Sequence, residues 1–492
     1  MIDMPRPRLA VCGAAIGLVL AACTAPPPPP AAEPSRPNIV FVLVDDMDQD
    51  LVRFMPEVLR MQREGVTFSN STVTGSLCCP SRTSLLSGKY PHNTGVFTNE
   101  PPDGGFAVFH RRDERDTLGT QLQQAGYRTG FMGKYLNGYR PGRTLGGERP
   151  FVPPGWDEWA VAGNGYDEYD YQLNVNGRVR SHGHRPGDYL TDVLAKRGND
   201  IIRSSAAQGT PFFLEVAPFA PHGPFTPAPR HAEEFPGLTA PRTPSFDEPD
   251  RSDKPAWLRA LPPLPAAKAQ AADVKFRKRA QSLQAVDEML SGFRRTLAET
   301  GQAQRTHVLF TSDNGFHLGE HALPEGKQTA FDTDVRVPLI ATGPGVPAGR
   351  TIADPVQNID FRPTFAELAG APGRPDIDGT GFASLLRGGP GTGRNVALIE
   401  HHEPRVSQED PDRQEKPDRI PPTYTAIRTP EGTYVEYVTG EREFYDARTD
   451  PFQLTNTYPS LPPERRDELH RILTGLAACR GEAQCTEAAT AR

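Results

Sequence analysis

An unbroken apolar stretch at residues 39–44, followed directly by Asp45 and Asp46, constrains the fold of this chain more than any other feature. A strand that is apolar on both faces must be covered on both faces, which is typical of a central strand in a parallel sheet. In open α/β sheets, ligands gather beyond the carboxyl ends of the strands. We therefore expect Asp45 and Asp46 to lie at a functional edge of such a sheet.

Strand and helix patterns alternate through most of the chain. Further strands are predicted at 128–134, 211–216, 306–311 and 337–341. Helices are predicted at 51–64, 117–126, 188–203, 274–300 and 361–370. This alternation favours the α/β class, with a mostly parallel sheet flanked by helices.

Two stretches interrupt that alternation, and the pattern changes near the C-terminus. Residues 223–268 and 405–422 are rich in proline and polar side chains, and we expect them to pass over the rim of the site. From residue 423 onward, short strands around a glycine turn predict a small antiparallel subdomain. We place the main domain at 36–400, the C-terminal subdomain at 401–478, with a helix over 463–476, and a tail at 479–492.

The N-terminus has the pattern of an export signal. Arg6 and Arg8 precede an apolar run at 9–20 that is too short to span a membrane. The sequence Leu-Ala-Ala-Cys at 20–23 resembles a bacterial lipobox, which predicts a signal peptide at 1–22 and a lipid on Cys23; the alternative is ordinary signal cleavage with Cys23 incidental. Residues 23–35 then form a proline-rich tether. The expected location is outside the cytoplasm, anchored to the outer face of the cytoplasmic membrane, or in the periplasm or cell envelope.

Overall charge argues against nucleic acid as a partner. The chain carries 54 Lys and Arg against 61 Asp and Glu, a formal net charge of −7. Binding to a polyanion would require a basic surface, and the composition as a whole supplies none. Local basic clusters could still bind a small anionic substrate.

Residues 76–90 carry the strongest indication of chemistry. The pattern predicts a loop that enters a short helix, with Pro80 at the first helical position and Gly88 at the stop. Cys78 would then precede a helix N-terminus, where backbone N–H groups favour an anion. Arg82, one turn later, could reach the same point. The alternative is a pair of adjacent cysteines that are only buried or disulfide-bonded.

The run Cys-x-Pro-Ser-Arg at 78–82, with Leu-Ser-Gly-Lys-Tyr at 86–90, resembles the signature of the type I sulfatases. The resemblance implies an alkaline-phosphatase-like α/β fold and hydrolysis of sulfate esters. It also implies that a formylglycine-generating enzyme oxidises Cys78 to Cα-formylglycine, because only Cys78 has Pro two and Arg four residues on. One hydroxyl of the aldehyde hydrate attacks sulfur, and the other then expels sulfate.

A metal site is predicted where two strands end. Asp45 and Asp46 follow one strand, and Asp313 and Asn314 follow another. Hard oxygen ligands of this kind suit calcium or magnesium, although either pair alone could be a turn or a helix cap. In the sulfatases that the sequence resembles, the same residue types hold one calcium ion beside formylglycine. The resemblance therefore adds residue 78 to the expected ligands. Magnesium remains possible, and the ion would act as a Lewis acid.

The resemblance also assigns the cationic groups. Arg82 would hold the formylglycine, Lys134 would contact both the hydrate and sulfate, and Lys327 would lie near the leaving oxygen. His222 would contact sulfate and protonate the leaving alkoxide. Without the resemblance, each lysine would be interpreted as a solvated surface charge.

One position departs from the common sulfatase pattern. Leu136 stands where many sulfatases have a histidine, and Asn137 follows it. The glucosamine-6-sulfatase branch has the same Gly-Lys-Tyr-Leu-Asn sequence, which implies a sulfated sugar substrate such as N-acetylglucosamine 6-sulfate. The base for the elimination step stays open between His317, His321 and solvent. The pair at 401 and 402 is expected on the surface or the rim.

Cysteine usage agrees with export. If Cys12 leaves with the signal, Cys23 carries lipid and Cys78 becomes the aldehyde, then Cys479 and Cys485 are predicted to form a disulfide. Cys79 would remain a buried free thiol. Two alternatives to a sugar sulfatase stay open: an arylsulfatase or formylglycine-dependent phosphodiester or phosphonate hydrolase, and an unmodified, inactive lipoprotein that binds sulfated glycans.

Overall fold

A computed structural model describes residues 1–10, 36–404, 410, 412 and 420–490 of the chain. The predicted lipidation at Cys23 and the proline-rich tether lie outside these residues, as does most of the polar loop at 405–422. Residues 1–10 are exposed and contain no helix or strand. Within the described ranges, no helix combines the length and apolar character that crossing a bilayer requires.

The described strands form three sheets. They are β1 Asn38–Val44, β2 Val66–Phe68, β3 Ser71–Thr72, β4 Arg128–Lys134, β5 Glu158–Ala162, β6 Gln172–Val175, β7 Arg178–Ser181, β8 Phe212–Ala217, β9 Thr306–Ser312, β10 Leu339–Thr342, β11 Arg350–Ile352, β12 Val356–Gln357, β13 Ala397–His401, β14 Tyr424–Arg428, β15 Gly432–Tyr437 and β16 Arg442–Asp446. The largest sheet has ten strands in the order β11-β2-β10-β9-β1-β8-β4-β5-β6-β7. Its five central strands, from β9 to β5, are all parallel, so the predicted α/β class is confirmed.

Helices cover both faces of this sheet. They are α1 Pro56–Glu64, α2 Cys78–Ser87, α3 Pro91–Thr94, α4 Gly105–Arg112, α5 Leu118–Gln124, α6 Leu190–Gln208, α7 Ala256–Arg259, α8 Ala266–Glu299, α9 Asp332–Val335, α10 Phe361–Ala369, α11 Ala383–Leu386, α12 Pro463–Ala478 and α13 Gly481–Thr490. Residues 39, 41 and 43 of β1 join one apolar cluster with α5 and α10, and residues 40, 42 and 44 join another with α6 and α8. The rings of Phe41 and Phe361 lie 4.9 Å apart. Burial on both faces explains why the β1 sequence lacks polar alternation.

The C-terminal part adds a four-stranded antiparallel sheet in the order β13-β14-β15-β16. Its first strand, Ala397–His401, spans the boundary predicted between residues 400 and 401. Helix α12 packs on this sheet and matches the predicted helix over 463–476. Cys479 and Cys485 form the predicted disulfide, and the tail contains a helix, α13, that its sequence did not indicate.

Several boundaries differ from the prediction. The helix expected over 51–64 is a 3-10 turn, Gln49–Phe54, followed by α1, because Pro56 has no N–H to continue the first segment and Met55 is extended. The helix expected from 274 begins at Ala266, directly after Pro265, so residues 266–268 are helical and do not belong to the irregular segment predicted at 223–268. Strands β5 to β7 were not predicted, because each has only four or five residues and so carries little periodic signal.

Candidate active site

The carboxyl ends of β1 and β9 place four polar side chains together. The two strands pair in parallel register from Asn38 with Thr306 to Val44 with Ser312, so the residues that follow each strand are neighbours. The Asp46 N–H donates to Asp313 Oδ1 at 3.1 Å, and Asn314 Nδ2 donates to Asp46 Oδ1 at 2.6 Å. Asp45 belongs to the same cluster, and all four residues are at most 1% exposed.

Helix α2 brings Cys78 to this cluster. The helix begins at Cys78, with Leu77 as its N-cap, so Cys78 lies inside the first turn and not before it as the sequence suggested. Gly88 ends the helix in the left-handed conformation at φ 70°. The Cys78 thiol donates to Asp45 Oδ1 at 3.3 Å, and all ten residues of the helix are buried.

Arg82 connects α2 to the residue that follows β9 and to the end of β4. Its Nε donates to Asp313 Oδ2 at 2.8 Å, and its Nη1 donates to the Lys134 carbonyl oxygen at 2.8 Å. Burial alone would raise the pKa of the Asp313 carboxyl, but Arg82 and the two site lysines outweigh it and lower that pKa to about 2. Asp313 is therefore held as a carboxylate.

Two lysines donate hydrogen bonds to residues of the cluster. Lys134, at the end of β4, donates from Nζ to Asp45 Oδ2 at 2.6 Å. Lys327 donates to Cys78 Sγ at 2.9 Å and contacts Asp46 Oδ1 at 2.5 Å. Burial opposes the charge of each lysine, but Asp45 raises the pKa of Lys134, and Asp412 and Asp46 raise the pKa of Lys327. Both lysines therefore stay cationic without access to bulk water.

His222 follows β8 and faces the same space. Its Nε2 lies 3.5 Å from Asp46 Oδ2 and 2.8 Å from Asp412 Oδ1. Its Nδ1 donates to the Gly223 carbonyl oxygen at 2.8 Å, which leaves Nε2 directed at the cluster. Burial lowers the pKa of His222, but the carboxylates of Asp46, Asp45 and Asp412 outweigh burial and raise it.

These residues fit a divalent metal ion. Asp45, Asp46, Cys78 and His222 each offer a ligand atom, and those four atoms lie within 4.8 Å of one another. Asp46 Oδ2 and Asn314 Oδ1 are buried and accept no hydrogen bond from the described residues. Buried oxygens of this kind require a partner, and a hard cation supplies one. The structure thus brings the predicted oxygen ligands together and places His222 beside them.

The surroundings of residue 78 disfavour ionisation of the unmodified Cys78 thiol. Burial raises the pKa of the Cys78 thiol well above its usual range, and Asp412 and Asp45 raise it further. A thiol that stays protonated is a weak nucleophile. Cys79 is buried and free, and burial raises the pKa of its thiol to about 12.

The structure shows the surroundings of the two histidines considered as the base for the elimination step. His317 Nδ1 lies 2.9 Å from Asp334 Oδ1, and His321 Nδ1 lies 2.6 Å from Glu248 Oε2, so each ring is held by a separate buried carboxyl group. Asn137 is 8% exposed, and neither atom of its side-chain amide has a hydrogen-bond partner among the described residues.

His401 and His402 have hydrogen-bond partners outside the cluster. His401 was expected at the surface or rim but is buried, with its Nε2 on the Pro421 carbonyl oxygen at 3.2 Å. His402 pairs with Asp103 at 2.6 Å.

Sequence reasoning missed two residues that bear on the site. Asp412 contacts both Lys327 and His222, but it lies in a loop that is polar throughout and offers no local pattern. Arg279 of α8 is fully buried, lies 2.9 Å from Asp48 Oδ2 and donates to the Asp46 carbonyl oxygen. Its place on the apolar stripe of α8, between Phe276 and Leu283, is a signal that could have identified it.

Comparison with known proteins gives the family. The Sulfatase family model matches residues 37–371, and the model described as N-sulphoglucosamine sulphohydrolase, C-terminal, matches residues 319–476. Human N-acetylglucosamine-6-sulfatase is 34% identical over 495 residues, which cover 94% of this chain and 88% of that protein.

Solved structures share the fold. BT4656, solved in complex with its substrate D-glucosamine-2-N,6-O-disulfate, has a TM-score of 0.72 at 23% identity and covers 89% of this chain and 97% of its own. The phosphonate monoester hydrolase of Agrobacterium radiobacter has a TM-score of 0.68 at 21% identity, with coverage of 88% and 95%. These likenesses confirm the alkaline-phosphatase-like sulfatase fold. The family implies formylglycine and a divalent metal, and together these findings show that the chain belongs to the sulfatase family and is a sulfuric ester hydrolase.

Proposed function

We propose that this protein is an exported, calcium-dependent sulfatase that removes the 6-sulfate from glucosamine residues of sulfated glycans. The observation that carries the proposal is the position of Cys78 in the first turn of α2, in contact with Asp45 and Lys327. The substrate is suggested by the relative named N-acetylglucosamine-6-sulfatase and by the Gly-Lys-Tyr-Leu-Asn sequence around Lys134. Calcium is suggested by the oxygen-rich ligand set and by an extracytoplasmic location.

The groups that the family implies supply the nucleophile, an aldehyde hydrate at position 78, and a Lewis acid for a sulfate oxygen. Side chains of the protein supply the remaining charged groups of the site. Lys134 and Lys327 place two cations beside residue 78, where they would offset charge on the sulfuryl oxygens. Arg82 fixes the Asp313 carboxylate and the end of β4 in one arrangement.

His222 is suited to protonate the leaving sugar oxygen. The hydrogen bond from Nδ1 to the Gly223 carbonyl leaves Nε2 facing the site, and the neighbouring carboxylates raise the pKa of His222, which favours the protonated ring. An alkoxide is a poor leaving group, so this proton transfer should matter for a sugar sulfate. Asp412 shares Lys327 and His222, so a bound sulfate would compete with its carboxylate for these two cations.

The cellular part of the proposal depends on residues outside the described structure. The Leu-Ala-Ala-Cys sequence at 20–23 supports lipidation at Cys23 and attachment to a membrane outside the cytoplasm. The Cys479–Cys485 disulfide is compatible with an oxidising compartment. Maturation would require a formylglycine-generating enzyme that acts on Cys78.

The test begins with the modification. Mass spectrometry of the tryptic peptide that contains residue 78 should find the aldehyde at Cys78 and not at Cys79. Cys78→Ala should abolish turnover with the fold intact, and the matched control Cys79→Ala should retain most activity. An aldehyde at position 79 would contradict the assignment.

Fully modified enzyme should then be offered a panel of esters. We expect release of sulfate from N-acetylglucosamine 6-sulfate and from 4-nitrophenyl sulfate, with much slower release from the 3-sulfated sugar. Aryl phosphonate and aryl phosphate diester substrates provide the comparison with the phosphonate hydrolases. Faster hydrolysis of the phosphonate, or no release from any 6-sulfated glucosamine, would overturn the proposed substrate.

A further inference from the structure

A cavity of about 740 Å³ opens outward from the active site. Its deep end is formed by Asp46, His222 and Lys327, which belong to the site already described. Its outer part is formed by residues 261–265, by the first half of α8, and by Phe316, Leu318 and residues 322–326. The outer part has no role in the chemistry at residue 78.

The walls of the outer part are mainly apolar. Phe225 and Phe316 stand edge to face beside His222, with ring centroids 6.3 Å apart. Phe225 adopts φ 65°, a left-handed conformation that is rare for an aromatic residue and is typical of functional sites. Leu264 and Val274 continue this surface, and Val274 is 46% exposed. An apolar wall with aromatic rings suits the C–H face of a sugar ring.

A row of lysines lies along the same cavity. Lys268, Lys275 and Lys278 of α8 all line it. Lys275 is paired with Glu325 across the cavity, whereas Lys268 and Lys278 are exposed and form no ion pair within the described part of the chain. Lys278 lies ten positions after Lys268, which corresponds to roughly 15 Å along the helix.

The row starts close to the reacting centre. Lys278 precedes Arg279, whose guanidinium donates to the Asp46 carbonyl oxygen. The cationic side chains therefore run outward from the sulfate site, although the whole chain has a formal net charge of −7. A basic row in an otherwise acidic protein favours an anionic ligand at this cavity.

We infer that the outer cavity is a second subsite, in which Phe225 and Phe316 contact the glycan attached to the reacting sugar and Lys268 and Lys278 select glycans that carry further anionic groups. This inference rests on the proposed function, because it takes the reacting group to be a sulfated sugar within a glycan. It adds that the enzyme prefers an acidic oligosaccharide to a single sulfated sugar or a neutral glycan. The deep end of the cavity makes this subsite continuous with the sulfate site.

The experiment compares two disaccharides that differ only at C6 of the second sugar, which is a carboxylate in one and a neutral hydroxymethyl group in the other. One has 6-sulfated glucosamine linked to glucuronic acid, and the other has the same sulfated sugar linked to glucose. For wild type, kcat/KM on the acidic disaccharide should exceed that on the neutral one roughly tenfold, since exposed ion pairs contribute modestly and the two lysines act together. High salt should reduce this ratio because the lysines are exposed to solvent.

Lysine variants test whether Lys268 and Lys278 cause the preference for the acidic disaccharide. In the double variant Lys268→Ala/Lys278→Ala the ratio should fall to near one, and in Lys268→Glu/Lys278→Glu it should invert. Lys196→Ala is the matched control, because Lys196 is an exposed lysine on α6 that does not line the cavity, and it should keep the wild-type ratio. An unchanged ratio in both double variants would overturn the inference.

A second measurement separates this inference from the proposed function. If neither disaccharide is hydrolysed while 4-nitrophenyl sulfate is, the proposed substrate fails, and binding of the acidic disaccharide is then measured by calorimetry. Binding to Cys78→Ala that weakens roughly tenfold on adding the two lysine substitutions would support the subsite. Equal binding with and without them, or no binding to either protein, would overturn it.

Discussion

At the scale of single residues, the site consists of buried carboxylates and buried cationic side chains that neutralise one another. Asp45, Asp46 and Asp313 are at most 1% exposed, and Arg82 and Lys134 lie among them. Removing one partner of such a group leaves a buried charge without compensation, which is more damaging than the loss of one contact. Substitutions here therefore need paired substrates or matched variants, so that chemical effects can be distinguished from a collapsed site.

His222 allows such a comparison. A phenolate leaves with little help, whereas the alkoxide of a sugar needs a proton, so His222→Ala should slow sugar 6-sulfate hydrolysis far more than 4-nitrophenyl sulfate hydrolysis. General-acid help typically contributes on the order of 10²–10⁴-fold, which sets the expected loss on the sugar. The measurement is kcat/KM on both substrates with the modification at residue 78 quantified in each preparation.

The matched control is His402→Ala, because that histidine pairs with Asp103 outside the cluster. It should leave both rates close to wild type. Equal losses on the two substrates in His222→Ala would mean that His222 only positions sulfate.

Local patterns made some site residues predictable and left others hidden. Cys78 and Arg82 could be placed because their spacing is fixed by one helix turn, and Asp45 and Asp313 because each follows an apolar strand. Asp412 could not, since nothing in a uniformly polar loop distinguishes one aspartate from its neighbours.

At the scale of elements, the end of α2 fixes how the helix sits against the rest of the protein. Gly88 has φ +70°, and a Cβ built there would lie 3.3 Å from Arg362 Cδ and from Ile377 Cβ. Arg362 cannot easily yield, because it is buried and donates to Gln121 Oε1 and the Ser87 carbonyl oxygen. Both the left-handed backbone and the crowded neighbours therefore favour glycine at this position.

We expect Gly88→Ala to lower the free energy of unfolding by more than the ~1–2 kcal/mol that a left-handed alanine costs. The control is Gly209→Ala at the end of α6, where φ is +66° but no atom lies within 4 Å of the added Cβ. Denaturant unfolding of both variants isolates the crowding around Arg362. Equal losses in the two variants would show that Arg362 and Ile377 adjust without cost.

The same scale shows why the fold was only partly predictable. Strands β4 and β9 match their predicted ranges to within one residue. The centre of β9 is apolar at residues 308–310, whereas β4 was placed by the end of the predicted helix at Gly126. The early start of α8 was missed because proline and charge dominate the segment before it. Strands β5 to β7 depend on pairing with residues distant in the sequence, which local periodicity does not report.

At the scale of the whole molecule, the metal site links regions far apart in the sequence. Its predicted oxygen ligands follow β1 and β9, and Cys78 lies at the start of α2, so a bound ion would connect three elements of the fold. An ion that binds the folded chain and not the unfolded chain stabilises the fold by mass action. The metal should therefore be detectable in unfolding as well as in activity.

Calcium added to chelator-treated protein should raise the thermal midpoint, with a gain of about 2.7 kcal/mol when free calcium reaches a hundred times its dissociation constant. Asp313→Ala should lose most of this calcium-dependent shift and should also lose activity. Asp313 Oδ1 accepts the Asp46 N–H, and Oδ2 accepts from Arg82. The substitution therefore removes one carboxylate and also disrupts the arrangement of the other ligands. Asp376→Ala is the control, since Asp376 is an aspartate of the Arg374 ion pair outside the site, and its calcium shift should match wild type. The readout is the difference between midpoints with and without calcium, which cancels any general destabilisation in each variant. A wild-type midpoint that calcium does not move, or a full shift retained in Asp313→Ala, would rule out this set of ligands even if the enzyme hydrolyses sulfate esters.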